Sequence, residues 1–166
     1  MVQHPEQLGF KLGLKIHIGT PACITVEMPE AARFHDAGLV YVALLAESSG
    51  PLKKGDALKI GRTRKSLKSR WRRTVGIFNR DNLRNYEMND RRKWLLACNL
   101  LLPADVANGK EVSVWMRVAG IPYAGLTQNL FRDIQAEEQF LDQYYVPRVR
   151  RTAGNQGERL DFSDRT

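Results

Sequence analysis

Residues 112 to 118 read Val-Ser-Val-Trp-Met-Arg-Val. The run alternates strictly and puts Val112, Val114, Met116 and Val118 on one side, a period of two that only a β-strand satisfies. A strand needs a sheet, and two further segments supply one. Leu39 to Leu45 is an unbroken apolar run, as expected of a strand buried on both faces, and Ala57-Leu58-Lys59-Ile60-Gly61 reads as its neighbour. Turn chemistry lies between them, in Ser48-Ser49-Gly50-Pro51 and Lys54-Gly55-Asp56, so the pair is expected to form an antiparallel hairpin. The imperfect alternation of Lys11 to Ile18 suggests a peripheral strand.

Helical periodicity occupies the rest. Pro29 opens a segment suited to a short helix. Ser66 is placed to cap a helix that carries Leu67, Trp71, Val75 and Phe78 along one face. A second helix, about 83 to 102, ends at Pro103. Thr127 can cap a last helix whose inward stripe is Phe131, Ile134, Leu141 and Tyr145, ending before Pro147. The expected class is α+β, with a small, mainly antiparallel sheet of about three strands flanked by helices. Residues 1–36 are expected to form an N-terminal extension packed on a domain of 37–149, and the polar stretch 150–166 a flexible tail.

With 166 residues, 43% of them hydrophobic, the chain is long enough for one real core. Its 26 Lys+Arg against 18 Asp+Glu give a net charge of +8, which calls for a polyanionic partner or an anionic membrane. No apolar run is long enough to span a bilayer, and Met1-Val2-Gln3-His4-Pro5 has no signal-peptide pattern, so a cytoplasmic setting is expected. Cys23 and Cys98 sit among apolar neighbours and read as reduced core residues. His4, His17 and His35 have no zinc-ligand spacing, and neither a phosphate-binding P-loop nor a GxSxG elbow is present.

The densest local signal is basic. From Lys59 to Arg73, eight of fifteen residues are cationic (Lys59, Arg62, Arg64, Lys65, Lys68, Arg70, Arg72 and Arg73) and none is acidic. Contacts between such cations and phosphates release condensed counterions, which suits this segment to a nucleic-acid backbone; the plain alternative is a solvated basic face. Trp71 keeps helical spacing with Leu67 and Val75 and reads as core. Glu138 follows Ile134 by four residues and precedes Leu141 by three, so its carboxylate falls inside the apolar stripe. A carboxylate there needs a partner, either an internal arginine or a bound cation. Glu137, about 100° further round the helix, reads as a solvated surface charge. Tyr41, in mid-strand, is by default packing.

Taken in order, Gly38-Leu39-Val40-Tyr41, Lys59-Ile60-Gly61-Arg62-Thr63, Leu67-Lys68-Ser69-Arg70, and Glu138 nine residues before Pro147-Arg148 resemble the motifs of the GIY-YIG nuclease superfamily over about residues 36–148. The resemblance implies a metal-dependent endonuclease, with DNA the expected substrate. Its implied roles are Glu138 as ligand of one Mg²⁺ or Mn²⁺, Tyr41 orienting or deprotonating the attacking water, Arg70 meeting the non-bridging phosphate oxygens, and Lys59 assisting or holding phosphate. Arg62, Arg64, Lys65, Lys68, Arg72 and Arg73 would hold the backbone. A double-strand break would require dimerisation or two visits. Two positions depart from the family pattern: Lys59 stands where the second motif has Tyr, and Thr74 where the position four after the helical Arg commonly has His or Tyr. They leave a second expectation, a catalytically decayed nucleic-acid-binding module on the same scaffold. A third is a basic structural or partner-binding protein.

Overall fold

The computed structural model describes residues 1–18, 23–27, 38–45, 50–64, 67, 86–87, 110–126 and 131–148. These residues define six strands and one α-helix: β1 (Lys11–Ile18), β2 (Cys23–Glu27), β3 (Leu39–Leu45), β4 (Ala57–Thr63), β5 (Tyr86–Glu87), β6 (Lys110–Val118) and α1 (Ile134–Tyr145), with a 3₁₀ turn at Pro5–Leu8. The strands form one sheet in the order β4-β3-β6-β1-β2-β5, antiparallel at every pairing. The class is α+β.

The sheet is wider than the three strands expected, and the reason lies in the N-terminal segment. β1 is not peripheral: it pairs with β6 along one side and β2 along the other. Leu14 and Ile16 lie opposite Val114 and Val112, and all four are buried. The alternation of β1 is imperfect because the register slips between Leu12 and Leu14, where β1 carries an irregularity at Gly13. A Cβ there would stand 2.6 Å from Leu67 Cδ2 and 3.1 Å from Met116 Sδ, so any larger residue would have to displace those side chains. Leu67 is the one described residue of the helix expected from Ser66. The helix expected over about 83–102 does not hold at its start, where Tyr86–Glu87 form β5 and pair with β2 through Ile24 and Cys23. The rest of that segment, the short helix from Pro29 and the tail of 150–166 lie outside the described residues.

The expected hairpin is present, and β3 occupies Leu39–Leu45 as read. Two glycines at positive φ, Gly50 at 66° and Gly55 at 94°, shape the connection, and Lys53 N donates to Asp56 Oδ2 at 2.8 Å. Cross-strand partners share a face, so the register sorts β3 and β4 into two sets. Val40 and Val42 lie opposite Arg62 and Ile60 on one face; Leu39, Tyr41 and Ala43 lie opposite Thr63, Gly61 and Lys59 on the other.

Helix α1 covers the first face. Ile134, Leu141 and Tyr145 are buried against Val40, Val42, Leu44 and Ile60, as its stripe predicts, while Phe131 packs on this core from just before the helix. The helix begins later than a cap at Thr127 implies. Asp133, in extended conformation, takes the cap, its carboxylate accepting from Ala136 N at 2.8 Å. The helix ends at Tyr145 ahead of Pro147, through Val146 in the left-handed region at φ 50°, a costly conformation for a β-branched residue. Tertiary bonds hold this end: Gly55 N donates to Tyr145 O at 2.9 Å and Arg148 N to Ala57 O at 3.0 Å. The N-terminus is tied to the same region, with Val2 and Leu52 exchanging both backbone bonds and Tyr145 Oη donating to Gln3 O at 2.8 Å.

Candidate nucleic-acid interface and the buried carboxylates

Glu138 lies in the stripe of α1 with the residue 4% exposed. Its partner is Arg62, which reaches it from β4 because alternation from Ile60 aims position 62 at the helix. Arg62 Nη1 donates to Glu138 Oε1 at 2.7 Å, a charge-assisted bond between side chains 4% and 6% exposed. The internal arginine that the sequence allowed as a partner of Glu138 is in contact with it. Arg62, expected to hold the nucleic-acid backbone, is instead buried and engaged by a protein carboxylate.

The residues do not fit the Mg²⁺ or Mn²⁺ that the GIY-YIG resemblance implies. Such a cation collects several oxygen ligands, and a guanidinium 2.7 Å from Glu138 Oε1 puts a like charge against it. Two neighbouring acids are committed elsewhere, Glu137 to Gly120 and Tyr123, and Asp133 to its helix cap. Among the described residues no group of three or more His, Cys, Asp or Glu side chains is arranged to hold a metal.

Tyr41 and Lys59 stand on the other face of the sheet. Tyr41 is fully buried, and its ring lies across Gly61, its register partner. A Cβ on residue 61 would come within 2.8 Å of ring Cε2 and closer still to the hydroxyl, so Gly61 is needed for close approach rather than for a turn. Lys59, opposite Ala43, is half-buried on this same face. Met116 is the β6 partner of Tyr41, and Leu67 borders Gly13 beside that Met116 side chain, so Leu67 stands on this face too. The fold thus brings Tyr41 and Lys59 together and separates both from Glu138 by the thickness of the sheet. Arg64, just past β4, is exposed. Arg70, Lys65, Lys68, Arg72 and Arg73, with Thr74, lie outside the described residues.

Glu137 corrects its sequence reading. It is fully buried: Oε2 accepts from Gly120 N at 2.8 Å and Oε1 from Tyr123 Oη at 2.6 Å. Burial, Glu137's charge and that hydrogen bond all push the Tyr123 phenol up from its ordinary range, only partly opposed by Arg117. The Arg117 guanidinium lies 3.8 Å from the centroid of the Tyr123 ring, and its Nη2 donates to Pro122 O at 2.7 Å. This cluster anchors the connection after β6 to the first turn of α1. The turn residue Gly120, whose N–H needs an acceptor, was the available signal for it.

His4, which has no ligand spacing in the sequence, has a structural role in the fold. It caps the 3₁₀ turn, Nδ1 accepting from Glu6 N at 3.1 Å, with its ring edge-on to Trp115 at 4.8 Å. Burial lowers its pKa, opposed by the charge of Glu6.

These parts define an α+β domain whose single described helix is joined to an edge strand by a buried ion pair, with further cations following that strand. No family model matches the chain, and neither a curated protein nor a solved structure matches it. No helix among the described residues is long and apolar enough to cross a membrane.

Proposed function

We propose that the chain is a nucleic-acid-binding domain, with DNA the expected polymer, on a scaffold that resembles GIY-YIG nucleases, and that Glu138 serves the fold rather than a metal. One observation carries this choice: Glu138 has Arg62 as a partner, on the face opposite Tyr41 and Lys59. An acid already neutralised by a buried guanidinium gives little attraction to a divalent ion. The net charge of +8 and the cationic run from Lys59 to Arg73 supply the affinity for a phosphate backbone without one.

A second reading, the metal-dependent endonuclease, is favoured by the placement of Tyr41, Lys59 and Leu67 on one face, since Leu67 leads into the segment of Arg70. The two readings separate in one experiment. Labelled duplex and single-stranded DNA and RNA are titrated at several salt concentrations, and supercoiled plasmid is incubated with protein and Mg²⁺ or Mn²⁺. The binding reading expects log K to fall linearly with log salt and the plasmid to stay intact. Cleavage abolished by EDTA and by Glu138→Gln would establish the endonuclease instead.

A further inference from the structure

We infer that the corner where the β3–β4 turn meets the end of α1 is a second phosphate-contacting surface, formed by Lys53, Lys54 and Arg148. This deepens the proposed function and rests on it. Lys53 and Lys54 are exposed in the turn, and Arg148 is exposed just beyond the helix. Two segments 93 residues apart are fixed to each other here. Arg148 Nε donates to Gly55 O at 2.8 Å, Arg148 N to Ala57 O at 3.0 Å, and Gly55 N to Tyr145 O at 2.9 Å. The cations are therefore held side by side on bonded backbone.

No described carboxylate forms an ion pair with these three side chains; Arg62–Glu138 and Arg132–Asp133 are ion pairs elsewhere in the fold. Asp56, the acid of the turn, directs its carboxylate to Lys53 N at 2.8 Å. Three cations without a carboxylate partner, presented on ordered backbone, match the regular negative charge of a phosphodiester chain.

The position in the sheet gives the corner its role. β4 is an edge strand. Lys53 and Lys54 precede its start, and Arg64 follows its end. Six residue steps from Ala57 to Thr63 at about 3.3 Å each span about 20 Å. A span of that size exceeds the spacing of neighbouring phosphates, so cations at the two ends of β4 would meet different phosphates of one duplex. An anionic membrane is the poorer match, because the exposed large apolar side chains among the described residues are Met1 and Ile121, and the turn itself offers none to insert.

The test is fluorescence anisotropy of a labelled 20-base-pair duplex with wild type and with the double variant Lys53→Gln/Lys54→Gln, across about 50–200 mM salt. Circular dichroism checks the fold, and vesicles of phosphatidylserine and phosphatidylcholine form a parallel arm. The variant should keep its fold, bind DNA about tenfold more weakly and lose about 2 from the slope of log K against log salt. An unchanged affinity and slope in the variant overturns the corner while leaving the proposed function standing. Vesicle binding tighter than DNA binding, and lost in the variant, overturns the choice of partner. Absence of salt-dependent DNA binding by wild type sinks the proposed function and this inference together.

Discussion

Arg62 and Glu138, 76 residues apart in the chain, close a buried 2.7 Å ion pair between an edge strand and the helix that covers it. Removing one partner strands the other charge in the core. Glu138→Ala should cost about 3–5 kcal/mol in urea unfolding, whereas Arg62→Met combined with Glu138→Leu should recover most of that loss. Equal destabilisation by the single and double variants would show that the two groups are not coupled.

Tyr41 and Gly61 form a second coupled pair. The ring of Tyr41 fills the space in which a side chain at 61 would stand. Gly61→Ala should therefore destabilise by about 1–3 kcal/mol. Adding Tyr41→Leu should make the glycine substitution less costly than in the wild-type background, which a thermodynamic cycle measures directly. Additive losses would contradict the overlap.

Glu137 holds two donors, Gly120 N and Tyr123 Oη. Glu137→Ala leaves the buried Tyr123 hydroxyl unmet, at about 1–3 kcal/mol, while the exposed Gly120 N–H can turn to water. Glu137→Gln keeps an acceptor and should cost less.

Alkaline and acid stability follow from three residues. Burial raises the phenol pKa values of Tyr123 and Tyr145 in the folded state. Above pH of about 10 the unfolded chain loses these protons first, so stability is full below that pH and falls as pH rises beyond it. Ultraviolet titration of wild type against Tyr123→Phe and Tyr145→Phe should show that these two phenols ionise only on unfolding. For His4 the folded pKa is lowered, so the unfolded chain takes the proton first and stability declines as pH falls below about 6.5. His4→Asn, which keeps a capping acceptor, should flatten the melting temperature between pH 7.5 and 5. An unchanged slope would remove His4 as the cause.

The legible parts of the fold were those in which one period dominates. β6 declares itself by strict alternation, β3 by an unbroken apolar run, and α1 by its stripe of Ile134, Leu141 and Tyr145 with Glu138 among them. β1 was underestimated because the irregularity at Gly13 breaks its alternation, although Leu14 and Ile16 lie deep in the sheet. Glu137 was misread because the helical angle between neighbours says nothing of a turn that folds over the helix flank, and the buried contacts come from Gly120 and Tyr123. The Arg62–Glu138 contact was half legible. Glu138's need for a partner followed from the stripe, but which cation would meet it depended on the face of β4, and that is fixed by pairing rather than by local sequence.

The claim that Glu138 belongs to an ion pair and not to a metal is tested most directly by thermal unfolding of wild type and Glu138→Gln in millimolar Mg²⁺ or Mn²⁺. A bound ion at a hundred times its Kd would add about 2.7 kcal/mol to the folded state. The account predicts no metal-dependent rise in Tm for either protein. A concentration-dependent rise in wild type that disappears in Glu138→Gln would contradict it.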